Sequence, residues 1–121
     1  PGATGMELSK LSGEEAEATI PCLQENRALH GFLHGGAFFT VGDTLTALMC
    51  FYFIDDPAER TLTMNASIRY LRPIHKETVI ARARLTKHAG KRLDFVCDFI
   101  NSETGKRAAQ ARYRYALAVP R

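Results

Sequence analysis

Between residues 29 and 50 the sequence runs LHGFLHGGAFFTVGDTLTALMC. After the paired glycines Gly35 and Gly36, nearly every position is apolar or small, and Asp43 is the one charged side chain. A carboxylate withdrawn from water without a partner costs several kcal/mol or moves toward its neutral form. Acids in such settings collect at functional sites, so Asp43 is the first candidate for chemistry. Other reactive side chains are less suggestive. His30 and His34 stand four apart, but HGFLH lacks the glutamate of a metalloprotease helix, and Gly31 and Gly35 favour a loop, so no metal site is expected. Cys50 and Cys97 fall on apolar patterns and read as core, while His75 and His88 fall at turns. Tyr113 and Tyr115 interleave with Arg112 and Arg114, a pattern compatible with stacking on single-stranded nucleic acid. The tyrosines alternate faces with the arginines, which favours core, and no nucleic acid is expected.

Residues 36–53 read as a helix. Phe38, Phe39, Val41, Leu45, Leu48, Met49, Phe51 and Tyr52 surround most of it, which predicts burial. Gly36, Thr40, Asp43, Thr44 and Ala47 recur at spacings of three and four, giving one small, polar face that a ligand or second backbone can approach. An alternative makes HGGAFFTV a strand and Asp43 the N-cap of a short helix. In a continuous helix, the nine residues from His34 to Asp43 span roughly 13 Å. If both serve one small reacting group, they come from two chains related by a two-fold axis.

Around this segment lie strand patterns. Ala16, Ala18, Ile20 and Cys22 alternate with polar residues over 14–24. In TLTMNASIRYL the apolar positions are Leu62, Met64, Ala66, Ile68 and Tyr70, with Thr63, Asn65, Ser67 and Arg69 on the other face. ETVIARARLTK, RLDFVCDFI and AAQARYRYALAV alternate likewise, separated by turns at His88–Lys91 and Ser102–Gly105. One apolar helix and a sheet with one apolar face make an α+β fold in which the helix packs on the sheet.

The chain's 121 residues suit a single domain over 14–121, with residues 1–13 a tail and 1–5 an expression scar or an alternative start before Met6. No apolar run is long enough to span a bilayer. Three widely spaced cysteines without a CxxC pair suggest reduced thiols and a cytoplasmic location. Charge is uneven: residues 1–68 carry three Lys/Arg against nine acids, residues 69–121 thirteen against four. A basic half suits an anionic partner such as phosphate, or simply solvated strand faces.

HGG at 34–36, the acid nine residues after its histidine, and Tyr70-Leu71-Arg72-Pro73 within the strand run together resemble the hotdog-fold acyl-CoA thioesterases of the phenylacetate-degradation type. The resemblance covers about residues 14–117 and implies a hotdog fold, with an antiparallel sheet of about five strands wrapped around one long helix. It implies hydrolysis of an acyl-CoA thioester, with coenzyme A as part of the substrate and no separate cofactor. By the same resemblance, the N–H of Gly35 at the helix N-terminus polarises the carbonyl. Asp43 activates water or attacks the thioester, Thr63 holds the water or the carboxylate, and His34 orients the loop. Gly36, Phe39 and Thr44 would line the substrate. Arg69, Arg72, Lys91 and Arg92 would meet the phosphates. The family commonly carries Asn six residues before the motif histidine. Here Ala28 stands there, and Asn26 is the nearest substitute. The implied assembly is a homodimer, and a dimer of dimers beyond it, with no membrane partner. Two further functions fit the same fold: a hotdog dehydratase and a non-catalytic acyl-CoA binding protein.

Overall fold

A computed structural model of the chain describes residues 6–21, 30–72 and 78–119, with the backbone alone over residues 30–37. In chain order the elements are β1 (Glu7–Leu11), β2 (Glu15–Ile20), α1 (His30–Cys50), a 3₁₀ turn (Phe51–Phe53), β3 (Arg60–Tyr70), β4 (Val79–Ala89), β5 (Arg92–Asn101) and β6 (Arg107–Ala118). Among the described residues, six strands form one antiparallel sheet in the order β1-β2-β4-β5-β6-β3. The α+β, helix-on-sheet arrangement is the one expected.

The alternation along the strands determines what meets the helix. Ala16 and Ala18 of β2, Ala81 and Ala83 of β4, and Ala109 and Ala111 of β6 are all buried. These small side chains let α1 lie close. The larger ones, Phe95 and Phe99 of β5 with Tyr113 and Tyr115 of β6, interdigitate with Phe38, Val41, Leu45 and Met49 of α1. Phe38 stacks on Phe99 with ring centroids 5.0 Å apart. On the outer face the arginines find acids: Arg82 with Glu17 at 2.8 Å, Arg84 with Asp98 at 2.7 Å, and Arg114 with Asp94 at 2.9 Å. Much of the basic excess of the C-terminal half is thus a solvated strand face, where each pair adds at most about 1 kcal/mol. Gly90 and Gly105 make the two hairpin turns at φ 61° and 74°, a region that suits glycine.

Five expectations need correction. The sheet has six strands rather than about five, because Glu7–Leu11, within the segment read as a tail, pairs with β2. The helix starts at His30, so the segment from His30 to Gly35 read as a loop is helical, and Gly35 and Gly36 lie in the second turn instead of opening the helix. Glycine in a helix costs only about 1 kcal/mol relative to alanine, which packing downstream outweighs. The unbroken helix also removes the alternative in which Asp43 caps a short one. Phe51 and Tyr52, counted on the buried helix surface, fall in the 3₁₀ turn and are 62% and 58% exposed, because the chain leaves the sheet there. Finally, a bulge between Thr63 and Asn65 inverts the phase of β3. Leu62 and Met64 leave the helix-facing side and are 59% and 56% exposed. Ala66, Ile68 and Tyr70 stay in register with buried Tyr113, Ala111 and Ala109.

Candidate active site

The site is built where α1 crosses β6. Val41, Leu45, Met49 and Cys50 bury one side of the helix against the sheet, leaving Thr40 and Thr44 exposed and Asp43 and Ala47 half-buried. The small, polar face read from the sequence is therefore the side turned away from the sheet, and Asp43 sits at its margin. Two residues apart on β6, Tyr113 and Tyr115 point at the helix with their rings stacked, centroids 6.4 Å apart. A buried phenol must place its O–H. Tyr113 donates to the carbonyl of Phe39 at 2.8 Å, beside Gly42, where an added Cβ would collide with the phenol. Tyr115 lies within 2.9 Å of the Asp43 Oδ1.

An ionised carboxylate only accepts hydrogen bonds, so the Tyr115 O–H donates to Asp43. The phenol oxygen then accepts the single Thr46 hydroxyl proton at 2.7 Å, so the Gly42 carbonyl, 2.9 Å from Thr46 Oγ1, is an alternative acceptor for that proton and not a simultaneous one. Burial pushes the Tyr115 phenol well above its usual range; the Thr46 bond opposes this and the neighbouring Asp43 carboxylate adds to it. The phenol thus remains a donor throughout the neutral range. Asp43 is not the unpaired acid that the sequence suggested: a fixed donor holds one of its oxygens.

The bulge in β3 adds a second consequence. Thr63 pairs directly with Tyr115 across the sheet, and opposed residues in an antiparallel pair share a face. Thr63 therefore stands on the Asp43 side, not the outer face assigned from simple alternation. Asp43, Thr46 and Tyr115 form one hydrogen-bonded polar group in an otherwise apolar layer, and Thr63 is exposed beside it across the sheet. Sequence reasoning placed Tyr115 in the core and overlooked its hydroxyl, and Thr46 went unnoticed. The hint was available in Tyr rather than Phe at two inward positions of one strand.

Phe39 is half-buried against Tyr113, at 5.6 Å between centroids. Thr44 is exposed one residue past the acid. Asn26 and Ala28 lie outside the described residues, as does the side chain of His34. Gly35 and Gly36 are placed by backbone, within α1.

The four proposed phosphate contacts do not converge within one chain. Arg69 and Arg72 lie at the end of β3, beside Gln110 and Arg107 of β6, and Arg72 donates to the Arg107 carbonyl at 3.0 Å. Arg92 pairs with Ala116, which faces Leu62 at the other end of the same strands, roughly 20 Å away by strand rise. Beside it, Lys91 is tied to Asp55 at 3.0 Å and Glu59 at 2.9 Å, fastening the helix exit to the β4–β5 turn. Arg92 is half-buried, and among the described residues its enclosed Nε has no partner. The thiols of Cys50 and Cys97 are free and buried; burial pushes Cys50 up to about 12 and raises Cys97 as well, so neither suits a nucleophile's role. Among the described residues no helix is long and apolar enough to cross a membrane.

No curated protein sequence matches the chain. Solved structures do match by fold. A thioesterase from Haemophilus influenzae superposes with a TM-score of 0.81 at 22% identity, covering 96% of this chain and 80% of that one. A hypothetical protein from Staphylococcus aureus, solved as a Glu47Ala mutant, gives 0.84 at 17%, covering 95% and 94%. A hypothetical thioesterase from Streptococcus pneumoniae, solved with coenzyme A, gives 0.78 at 18%, covering 97% and 88%. These likenesses establish the hotdog fold. The family model described as the thioesterase superfamily matches residues 30–108, more than half of the chain and all of α1, so the protein belongs to the thioesterase superfamily.

Proposed function

We propose that the protein hydrolyses an acyl-CoA thioester to the free acid and coenzyme A. The observation that carries this is Asp43: a carboxylate in the middle of a helix packed on the sheet, one oxygen held by a buried tyrosine, the rest of it at the open margin. Family membership supports hydrolysis, and the coenzyme A bound to the Streptococcus pneumoniae hypothetical thioesterase supports a CoA ester as substrate.

In the reaction, Asp43 takes a proton from water and the water oxygen adds to the thioester carbon. The C–S bond breaks, and coenzyme A leaves as thiolate and receives the proton. Alternatively the carboxylate itself attacks, giving an acyl anhydride that water cleaves. The carbonyl oxygen is received at the helix N-terminal region, where the dipole favours developing negative charge. With α1 beginning at His30, the N–H of Gly35 is available to that oxygen only if the first turn opens. Gly31 and Gly35 make this turn intrinsically weak. Thr63 lies on the Asp43 face and holds the water. Phe39 and Thr44 flank the acyl path, and Arg69 and Arg72 meet the phosphates. Lys91 is committed to its acids.

His34 and Asp43 are held apart by the continuous helix, so the reacting centre combines the helix start of one subunit with Asp43 of another. The eleven-residue β3 forms a sheet edge and exposes Leu62, Met64 and Tyr70. A long apolar edge invites pairing with a second copy, and a pair of such dimers completes the assembly.

The test is a panel of acyl-CoA esters with a thiol-release readout. Asp43→Asn is expected to lower kcat by on the order of 10²–10⁴. Full hydrolysis by that variant refutes the assignment. Hydration of an enoyl-CoA instead, or tight binding without turnover, replaces it with a dehydratase or a binding protein.

A further inference from the structure

The hydrogen bonds around Asp43 divide its two oxygens. Oδ1 accepts from the Tyr115 hydroxyl at 2.9 Å, and the same hydroxyl lies 3.3 Å from the Asp43 backbone carbonyl. Among the described residues, Oδ2 has no hydrogen-bond partner. Tyr115 is itself fixed. It is 1% exposed, its ring meets Phe95 edge-on and stacks on Tyr113, and the Thr46 hydroxyl anchors its oxygen at 2.7 Å. Thr46 is fully buried, so its one proton has few acceptors within reach. Two donated protons, from Thr46 to Tyr115 and from Tyr115 to Asp43, therefore lead to one carboxylate oxygen.

We propose that Tyr115 is the positioning residue of this site: it pins Oδ1 of Asp43, fixes the carboxylate plane, and leaves Oδ2 as the oxygen that meets water or thioester. The proposal rests on the thioesterase reading for its chemistry, but the link between Tyr115 and the carboxylate stands without it. Thr46 strengthens the donor by polarising the phenol.

The other ionisable groups beside this pair, among the described residues, are Cys50 on α1 and the stacked Tyr113 on β6. Burial raises both. At neutral pH they carry no charge.

The decisive variant is Tyr115→Phe, which keeps the ring and removes the donor. The Asp43 side-chain carboxyl carbon, followed by NMR in ¹³C-labelled protein, should change its chemical shift at pH 7, because the bond to Oδ1 is gone. For CoA-ester hydrolysis kcat should fall about tenfold with KM little changed. Thr46→Val should move both in the same direction by less, which covers the case of a Tyr115 variant that folds poorly. Tyr113→Phe removes an equally buried hydroxyl from the same strand and should leave both where they were. An unmoved carboxyl resonance in Tyr115→Phe, or an equal change in Tyr113→Phe, overturns the proposal. A moved resonance in a protein that hydrolyses no thioester overturns the proposed function and leaves the positioning role standing.

Discussion

Tyr113 and Tyr115 are two rungs of one strand, both buried, both stacked, each reaching the same helix with its hydroxyl. Their partners differ. Tyr113 ends on a backbone carbonyl of Phe39, over a glycine. Tyr115 ends on a carboxylate, with a threonine behind it. Burial demands a partner for each phenol, and the kind of partner determines its use. A helix carbonyl already occupied within its own helix gains packing and direction from the extra donor. A carboxylate gains a fixed orientation. The first contact belongs to the fold and the second to the site, although they are one strand pleat apart.

The largest break in this contrast comes from Gly42. Its missing side chain is what lets the Tyr113 phenol lie across the helix; an added Cβ would approach two ring carbons to 3.0 Å and the oxygen more closely still. Gly42→Val should cost about 2–3 kcal/mol by overpacking, read by denaturant unfolding. A near-neutral result would mean that Tyr113 does not hold the helix. Next in size is Tyr113→Phe, which loses a buried neutral hydrogen bond and about 1 kcal/mol, or about 4 °C in Tm for a chain of this length. Combining the two substitutions should cost less than their sum by at least about 0.5 kcal/mol, since the Phe ring lacks the oxygen that the new Cβ meets. Strict additivity would separate Gly42 from Tyr113.

Much of this was legible beforehand, and the exceptions have physical causes. The single acid at Asp43 and the alternation over β4, β5 and β6 depend on local pattern and burial, which sequence carries directly. β1 was missed because ELSKL on a sheet edge faces solvent on nearly every residue and shows no clear period. The helix start was misplaced because three glycines within six residues look like a breaker, whereas packing further along the same helix sustains the first turns. The bulge in β3 has no sequence mark at Met64, yet it decides that Thr63 and not Leu62 joins the Asp43 side. The Tyr115–Asp43 bond joins residues 72 apart. Nothing in local spacing shows which of two inward tyrosines will meet the acid; that depends on how far along the strand the helix crosses.

The smallest effect tests whether the acid response of the fold reaches the site. Asp98, on the outer face, is pushed up by burial but held below the usual carboxylate range by hydrogen bonds from Gln110, Arg84 and Arg107, which outweigh it. A carboxyl lowered in the folded state binds its proton more weakly than in the unfolded chain. Its contribution to stability is therefore present above the ordinary Asp value of about 3.9 and is lost as pH falls through the lower, folded value. Because its arginines are about half exposed, the contribution should stay below about 1 kcal/mol. Unfolding at pH 5 and at pH 3 should show a smaller acid loss in Asp98→Asn than in the parent. The Asp43 carboxyl resonance at pH 7 should be the same in both, because the sheet itself separates Asp98 from the helix face. If Asp98→Asn moved that resonance as Tyr115→Phe is expected to, the two faces of the sheet would share one electrostatic environment, and the distinction between a rung for folding and a rung for chemistry would not hold.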